Sequence, residues 1–464
     1  MDSFAAKMKA RGLSDAAIDA FRSNYDQLLA GNDGLVPESS IEGVTSLPSL
    51  ESITESVGLN MDIKELLAKT AVLKLNGGLG TSMGLEKAKS LLPVKDGKTF
   101  LDLIAEQIKH TRNEFGSNVR FILMNSFSTS ADTMQFLKEK HGDLMKEEYI
   151  ELMQNSSCKV DAKTLAPVEF PENPEMEWAP PGHGDIYPSL VGSGMLDKLL
   201  SEGVEYVFVS NSDNLGATLD LSLLSHFASS GYSFMMEVCK RTASDKKGGH
   251  LAKRKADGRL ILRESAMCAD QDKAAFENIE LHKYFNTNNL WLNLKILKST
   301  LEASGGTLRL PLIKNKKTVN PRDPGSSPVF QLETAMGSAI ECFDNAAAIE
   351  VPRTRFAPVK TCSDLFALRS DAYVITERST VKLANPAPDA VAPFVKLDDK
   401  YYKLVDKMDA LVSEPPSLLH CKALLVKGPV EFGPGVTIVG TVTLSAEDKA
   451  RVQNRTFEDV DLTL

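Results

Sequence analysis

The sequence lacks the cysteine and histidine pairs that build metal sites and disulfide frameworks. Its six cysteines are scattered over 464 residues without a Cys-x-x-Cys pair, and its seven histidines form no ligand pattern. A structural zinc site and a disulfide framework are therefore not expected. Reduced, buried thiols in a cytosolic protein are the expected state of these cysteines.

Long apolar runs are also missing. No stretch approaches the ~20 apolar residues that a membrane-spanning helix needs. The first residues, Met1 to Phe4, lack the basic region and apolar core of a signal peptide. We therefore expect a cytoplasmic protein without a membrane partner.

Positive charge is in deficit, since the formal net charge is -9. A nucleic-acid partner would require a basic surface, so none is expected. A small phosphorylated substrate is compatible with this charge, because a few lysines in one cleft can hold phosphates. The 42% hydrophobic and 25% charged residues are typical of a globular protein, and the length favours two to three domains.

The N-terminal segment, residues 1–65, is predicted to be helical. Ser14 is a plausible cap, and Gly31 is a natural stop. Between them, apolar residues recur at three- and four-residue spacing: Ile18, Phe21, Tyr25, Leu28 and Leu29.

Apolar strands then alternate with helical patterns in residues 66–375, which we interpret as one catalytic domain. The predicted strands are Ala71–Leu75, Val119–Met124 and Tyr206–Ser210, and helices are predicted after Thr99 and after Ser128-Thr129. This alternation indicates an α/β fold with parallel strands and helices on both faces. Ligands bind beyond the carboxyl ends of such strands.

The C-terminal segment, residues 376–464, carries a six-residue repeat. Two series of apolar residues recur in phase: Leu424, Val430, Val436 and Val442, and Val426, Phe432, Ile438 and Leu444. Such a hexapeptide repeat is the signature of a β-helix, and an ordinary β-hairpin is the alternative. Prolines mark a linker region before it: Pro386, Pro388, Pro393, Pro415 and Pro416.

A glycine-rich loop, residues 75–81, follows the first of these strands. Glycines let backbone N–H groups approach phosphate oxygens. A dinucleotide fingerprint is excluded by spacing, because Gly84 comes one residue too late after Gly78 and Gly80. A plain turn is the alternative for the loop alone, and lysines at positions 87, 89 and 95 favour phosphate binding.

Further polar segments could each carry chemistry or be ordinary turns. His183 stands between two glycines, and Asp213 follows a strand, where a carboxylate commonly holds a cation on nucleotide phosphates. Residues 286–291 and 331–334 supply amides and a carboxylate that match sugar hydroxyls. Residues 351–360 carry three positive charges and two prolines.

Together these segments resemble the eukaryotic UDP-glucose pyrophosphorylase (UTP–glucose-1-phosphate uridylyltransferase) family. The resemblance runs from about Leu73 to the C-terminus. The segments that carry it, in the family's order, are Lys74-Leu75-Asn76-Gly77-Gly78-Leu79-Gly80-Thr81, Pro181-Gly182-His183-Gly184-Asp185, Ser210-Asn211-Ser212-Asp213-Asn214-Leu215-Gly216, Asn286-Thr287-Asn288-Asn289-Leu290-Trp291, Gln331-Leu332-Glu333-Thr334-Ala335 and Val351-Pro352-Arg353-Thr354-Arg355-Phe356.

The resemblance implies a Rossmann-like mixed sheet of the GT-A nucleotidyltransferase type, flanked by helices, with a C-terminal left-handed β-helix. It implies Mg²⁺ as cofactor, and UTP, glucose 1-phosphate, UDP-glucose and pyrophosphate as ligands. The site residues it implies are Leu75, Asn76, Gly77 and Gly78 for the nucleotide, Gln154 and Gly182 for uracil, Asn211 and Asp213 at ribose and magnesium, His183, Gly249, Asn288 and Glu333 for the sugar phosphate, and Lys89 and Lys360 for catalysis.

Two positions depart from the family pattern. Lys87-Ala88 stands where many relatives have Gly-Pro, and His250 follows Gly248-Gly249 where many have threonine. The second departure lies near the expected sugar pocket and puts sugar selectivity in question. A broad-specificity UDP-sugar or UDP-N-acetylhexosamine pyrophosphorylase is therefore the main alternative.

Two alternatives from other classes are less favoured. A catalytically inactive nucleotide-binding scaffold would not need Lys89, Asp213 and Lys360, and a hexapeptide-repeat acyltransferase would not need the glycine loop. We expect a monomer, with the C-terminal domain as the surface for any assembly.

Overall fold

The structure is a computed structural model of the whole chain. It describes residues 1–56, 62–146, 150–242, 245–385 and 391–464. Two of the linker prolines, Pro386 and Pro388, lie outside the described residues. Within the described part, no helix combines the length and the apolar character needed to cross a membrane.

Helices and strands alternate through most of the chain. The helices are α1 (Asp2–Ala10), α2 (Asp15–Leu29), α3 (Leu50–Ser56), α4 (Ile63–Ala68), α5 (Phe100–Phe115), α6 (Ser130–Lys140), α7 (Ile186–Gly192), α8 (Met195–Ser201), α9 (Leu221–Ser230), α10 (Lys273–Phe276), α11 (Leu294–Ala303), α12 (Cys362–Arg369), α13 (Asp399–Tyr402) and α14 (Val405–Leu411).

The strands of the first two thirds are β1 (Ile41–Gly43), β2 (Thr70–Asn76), β3 (Pro93–Lys95), β4 (Lys98–Thr99), β5 (Arg120–Asn125), β6 (Glu151–Met153), β7 (Ser157–Cys158), β8 (Val160–Asp161), β9 (Trp178–Ala179), β10 (Tyr206–Asn211), β11 (Phe234–Lys240), β12 (His250–Arg254), β13 (Leu260–Arg263) and β14 (Tyr284–Asn293). Those of the last third are β15 (Ile313–Thr318), β16 (Pro328–Glu333), β17 (Ala346–Glu350), β18 (Tyr373–Ile375), β19 (Val381–Leu383), β20 (Phe394–Lys396), β21 (Ser417–Lys427), β22 (Val430–Phe432), β23 (Val436–Ser445), β24 (Ala450–Val452), β25 (Arg455–Glu458) and β26 (Asp461–Thr463).

A ten-stranded mixed sheet forms the centre of the molecule. Its main order is β1-β12-β14-β10-β2-β5-β6. Off this path, β11 pairs with β14, β17 pairs with β11, and β13 pairs with β12. The strands β10, β2, β5 and β6 pair in parallel, as the alternation predicted. Strand β14 runs antiparallel to β10, so the sheet is mixed. The N-terminal segment also contributes a strand, because β1 pairs with β12.

Helices cover both faces of this sheet. Along β2, Ala71 and Leu73 pack in one core cluster with α7, α8 and α11, whereas Val72 packs in a second cluster with α5 and α9. Successive side chains of a strand point to opposite faces, so these two clusters are the two faces. The short apolar runs of the sequence are continuous because both faces are buried.

Two helix starts agree with their sequence signals, and one differs. The Ser14 side chain accepts a hydrogen bond from the Ala17 N–H at the start of α2, and α5 begins with a Thr99–Asp102 capping box. Thr129 precedes α6 without a side-chain cap. The predicted apolar face of α2 is buried except at Leu29, which is 53% exposed.

The C-terminal strands pair in parallel. Strand β21 pairs with β20 and β23, β23 pairs with β25 and β26, and β22 pairs with β24. The hairpin alternative is wrong, because a hairpin requires antiparallel neighbours. The eight repeat residues are all buried: Leu424, Val426, Val430, Phe432, Val436, Ile438, Val442 and Leu444.

Candidate active site

The glycine loop and Asp213 lie side by side at the carboxyl edge of the parallel strands. Strand β2 leads into Gly77, and its neighbour β10 ends at Asn211. The Ser212 N–H donates to the Leu75 carbonyl at 3.1 Å, which ties the two strand ends together. The predicted site therefore begins where ligands bind in sheets of this type.

Lys89 and Asp213 form an ion pair at this edge. The Lys89 Nζ lies 2.8 Å from Asp213 Oδ2, and the two side chains are 15% and 23% exposed. Lys89 is also held to the glycine loop, because its N–H donates to the Gly78 carbonyl at 3.0 Å. Gly78 is exposed, and a Cβ added there would meet no atom within 4 Å. The loop thus offers open backbone next to a charged pair.

Gln154 joins two of the predicted nucleotide residues. Its Nε2 donates to the Gly182 carbonyl at 3.0 Å, and a Cβ on Gly77 would lie 2.9 Å from its Oε1. A side chain on Gly77 would displace this amide. Gly77, Gln154 and Gly182 therefore form one continuous surface with a donor and acceptors.

The Asn76 side chain has a structural role instead. It is buried, and its Nδ2 donates to Asn125 and Thr133 at 2.7 and 3.0 Å. These bonds fix the end of β2 against β5 and α6. The Asn76 side chain is therefore occupied inside the protein, and a role of the Asn76 backbone in nucleotide binding stays a prediction.

His183 is fixed in one tautomer. The Met336 N–H donates to its Nδ1 at 2.9 Å, so Nδ1 is unprotonated and Nε2 carries the proton. Burial lowers the pKa of His183 to about 4, although part of the residue keeps contact with solvent. At neutral pH the ring is an uncharged hydrogen-bond donor through Nε2.

Gly249 lies against a carboxylate that no sequence pattern had indicated. A Cβ on Gly249 would come within 2.5 and 2.8 Å of the two carboxylate oxygens of Glu264. Glu264 also hydrogen-bonds to the Asn286 side chain, and burial raises the pKa of its carboxyl group. Glu264 directly follows strand β13, so the rule that selected Asp213, a carboxylate after a strand, could have found it.

Asn288 occupies a bulge next to this carboxylate. Its φ is +59°, in the left-handed region, and the pairing of β11 with β14 shifts register between Glu237 and Val238 at this point. Asn286 fixes the bulge twice, since its Nδ2 donates to Asn288 Oδ1 at 2.9 Å and its Oδ1 accepts from the Asn288 N–H at 3.0 Å. Bulges of this kind redirect side chains at functional sites.

Lys360 reaches the site on an exposed loop. The preceding Val359 N–H donates to the Asp213 carbonyl at 3.1 Å, which places the loop beside Asp213. The positive charge of Lys360 is close enough to Glu264 to lower the pKa of that carboxyl group, against the larger effect of burial. Lys360 therefore stands between the Asp213 side and the Glu264 side of the site.

Glu333 lies on the Gly182 side. Its Oε1 accepts a hydrogen bond from Asn315 Nδ2 at 2.9 Å, and a Cβ on Gly182 would lie 3.2 Å from its Cβ. The next residue, Thr334, bonds through its N–H to the Pro181 carbonyl at 3.0 Å. The segments that carry His183 and Glu333 are thus one packed unit.

Two sequence indications have a different meaning in the structure. The Lys95 Nζ donates to the carbonyls of Arg369 and Ser370, so Lys95 holds α12 and does not contribute to the glycine loop. His250 is fully buried, with its ring 3.8 Å from that of His282 and 4.8 Å from that of Phe276. The His250 side chain therefore lies in the protein interior, packed against His282 and Phe276.

The carboxylate of Asp213 fits a magnesium ion held mainly by its substrate. Among the residues that the structure describes, no three His, Cys, Asp or Glu side chains gather into a metal-binding group. Mg²⁺ commonly binds one or two carboxylates and completes its shell with water and substrate phosphates. The single carboxylate of Asp213, beside open glycine backbone, matches that pattern.

Comparisons with known proteins show the family of the chain. Residues 18–439 match the family model described as UTP–glucose-1-phosphate uridylyltransferase. The probable UTP–glucose-1-phosphate uridylyltransferase of Schizosaccharomyces pombe is 41% identical over 403 residues, which are 87% of this chain and 77% of the relative.

Solved structures extend the similarity to the whole chain. A mutant UDP-glucose pyrophosphorylase of Leishmania major in complex with UDP-glucose superposes with a TM-score of 0.94 at 45% identity, covering 100% of this chain and 99% of that one. The UDP-glucose phosphorylase of Trypanosoma brucei gives 0.90 at 46% identity with the same coverage. The chain therefore belongs to the UTP–glucose-1-phosphate uridylyltransferase family, a family of nucleotidyltransferases.

Proposed function

We propose that the chain forms UDP-glucose and pyrophosphate from UTP and glucose 1-phosphate in a reversible, Mg²⁺-dependent reaction. The observation that carries the proposal is the Lys89–Asp213 pair, which lies beside open glycine backbone at the carboxyl edge of the parallel strands. Family membership and the Leishmania major complex with UDP-glucose support the choice of glucose over the broad-specificity alternative.

The proposed chemistry is an in-line displacement at the α-phosphorus of UTP. A phosphate oxygen of glucose 1-phosphate forms the new P–O bond, and the bond to pyrophosphate breaks. The nucleophile is already an anion, so the site needs no strong general base. Its work is to position two polyanions and to offset their charge.

The nucleotide side is assigned to the glycine loop and its neighbours. Backbone groups of Leu75, Asn76, Gly77 and Gly78 hold the phosphates and nucleoside. The amide of Gln154 and the backbone of Gly182 read the uracil edge, and both are already joined by a hydrogen bond. Asn211, at the end of β10, contacts the ribose.

The sugar-phosphate side is assigned to a second group of residues: His183, Gly249, Asn288 and Glu333. His183 supplies an uncharged donor for a phosphate or sugar oxygen. We add Glu264 to this group, because its carboxylate lies against Gly249 and is bonded to Asn286. Carboxylates and amides together satisfy sugar hydroxyls, which both donate and accept.

Charge neutralisation is assigned to Lys89, Lys360 and Asp213. The two lysines hold phosphate oxygens of UTP and of the sugar phosphate. Asp213 would hold Mg²⁺, and the ion would supply charge neutralisation at the phosphate oxygens. Lys89, which pairs with the Asp213 carboxylate in this structure, would then be available to a phosphate oxygen.

Variants of the lysines test this assignment. Lys89→Ala and Lys360→Ala are each expected to lower kcat by about 10²–10³-fold, because a fixed charge facing the transition state is lost. Lys98→Ala is the matched control, since it also removes an ion pair, with Glu106 at 2.6 Å, and is expected to keep kcat. Pyrophosphate release with UTP, Mg²⁺ and glucose 1-phosphate is the measurement, and a folded Lys360→Ala protein with near-normal kcat contradicts the assignment.

We also propose the finer architecture. The domains are residues 1–65, 66–375 and 376–464, and the C-terminal strands wind as a left-handed β-helix. The pairing of Leu424 with Val442 and of Val426 with Leu444 supports the β-helix, because partners eighteen positions apart fit three six-residue sides per turn. A monomer in the cytoplasm, where its six free cysteines stay reduced, completes the proposal.

A further inference from the structure

A buried asparagine joins two loops and a strand of the proposed site. Asn214 follows Asp213 and is 3% exposed. Its Oδ1 accepts from the N–H groups of Gly216 and Ala357 at 3.1 and 3.0 Å. Its Nδ2 donates to the Arg355 carbonyl at 3.1 Å and to Asn289 Oδ1 at 3.3 Å. One amide thus links the Asp213 loop, the loop before Lys360 and the strand that carries Asn288.

The Arg355 end of this link is rigid. The Arg355 guanidinium donates to both carboxylate oxygens of Glu237, at 2.7 and 2.8 Å, and to the Thr218 carbonyl at 3.0 Å. Glu237 is fully buried and also accepts from Trp291 Nε1 at 2.9 Å and from Asn289 Nδ2 at 3.0 Å. A buried bidentate pair with this many bonds has little freedom to move. The carbonyl that Asn214 meets is therefore a fixed anchor.

The backbone that leads to Lys360 follows the Asp213 loop closely. Val359 donates to the Asp213 carbonyl, and Asn214 forms a β-bridge with Pro358. The Lys360 N–H itself donates to Asp364 Oδ2 at 2.9 Å. The exposed lysine side chain thus extends from a backbone that is held against Asp213 and Asn214.

These contacts use both the donor and the acceptor of the Asn214 amide group. Nδ2 meets two oxygens, and Oδ1 meets two N–H groups. An aliphatic residue would remove the hydrogen-bond partner of the Gly216 and Ala357 N–H groups and of Asn289 Oδ1. The Arg355 carbonyl would keep its longer bond from Asn289 Nδ2, at 3.4 Å. A polar group that loses its partner away from water is destabilising.

We propose that Asn214 is a positioning residue that holds the backbone of Lys360 in register with that of Asp213, so that both act on the same phosphates. The inference rests on the proposed function, because it assumes that Lys360 acts in turnover. It assigns Asn214 no contact with substrate. Its effect on turnover passes through Lys360.

A kinetic double-mutant cycle tests this coupling. The variants are Asn214→Ala, Lys360→Ala and the double variant, assayed for kcat with saturating UTP, Mg²⁺ and glucose 1-phosphate. In the natural sequence, Lys360→Ala is expected to lower kcat by about 100-fold. In the Asn214→Ala background the same change is expected to lower kcat by less than about 10-fold, because the lysine is already misplaced.

The control separates positioning from stability. Leu297→Ala removes a fully buried side chain of α11, and in that background Lys360→Ala is expected to keep its full effect. If Asn214→Ala fails to fold, Asn214→Ser takes its place in the cycle. An equal loss in the natural and Asn214→Ala backgrounds overturns the positioning role alone. A normal kcat for the single Lys360→Ala variant instead overturns the proposed role of Lys360, and this inference with it.

Discussion

At the scale of single residues, the site depends on side chains held in one chemical state. His183 is the clearest example, because the Met336 N–H fixes its tautomer and burial keeps it uncharged. An uncharged imidazole adds no positive charge to the site, so it acts through the direction of its Nε2 donor.

The state of His183 can be observed directly. With a pKa of about 4, its ring is expected to remain neutral, with the proton on Nε2, from pH 8 down to pH 5. Nitrogen NMR of the ¹⁵N-histidine-labelled protein, assigned with His183→Gln, measures both tautomer and charge. A His183 signal that titrates near pH 6.5, the value of an ordinary histidine, contradicts this description.

Asn288 shows how backbone conformation restricts a residue. At φ +59°, glycine is comfortable, whereas alanine costs roughly 1–2 kcal/mol. The free energy of unfolding of Asn288→Ala is therefore expected to be about 1 kcal/mol lower than that of Asn288→Gly, although both variants lack the same amide. Urea denaturation of the two proteins provides the comparison. Equal or greater stability of the alanine variant argues against the left-handed conformation.

At the scale of secondary-structure elements, continuous apolar runs and the six-residue period were readable from the sequence. Strands β2, β5 and β10 lie where apolar runs predicted them, and the C-terminal repeat residues are buried as the hexapeptide period requires. These elements are local, so a short window contains their signal. Asp213 was found in the same way, because it follows one of these strands.

Contacts between residues that are far apart in the sequence could not be predicted from it. The pair of Glu237 and Arg355 and the hub at Asn214 combine residues more than a hundred positions apart. No local period marks them. Closeness in sequence also led to a wrong prediction. Lys95 lies near the glycine loop in sequence, but its side chain donates to the carbonyls of Arg369 and Ser370.

The C-terminal strands give a prediction at this scale. In β23, Leu444 is fully buried, whereas the neighbouring Thr443 is half-buried. Leu444→Ala is expected to lower the free energy of unfolding by about 2–5 kcal/mol, and Thr443→Ala by much less. Thermal and urea unfolding of both variants decide this. Similar losses for both would falsify the assignment of the alternate residues to the interior of the C-terminal segment.

At the scale of the whole molecule, the C-terminal strands and the site loops share one hydrophobic core. Met83, Leu215 and Val359 pack in the same cluster as Leu424 and Val442. Met83 lies just after the glycine loop, Leu215 follows Asn214, and Val359 precedes Lys360. Packing of the C-terminal segment therefore supports the backbone of the glycine loop, of the Asp213 loop and of the loop before Lys360.

The measurement that tests the central claim most directly is ³¹P NMR of the purified chain with UTP, glucose 1-phosphate and MgCl₂. The signals of UDP-glucose and pyrophosphate are expected to appear together in equal amounts. When pyrophosphate is added to UDP-glucose, the signals of UTP and glucose 1-phosphate are expected to appear instead. Adding N-acetylglucosamine 1-phosphate or galactose 1-phosphate instead is expected to give much slower turnover. Absence of UDP-glucose from a folded protein, or equal rates with all three sugars, would contradict the account.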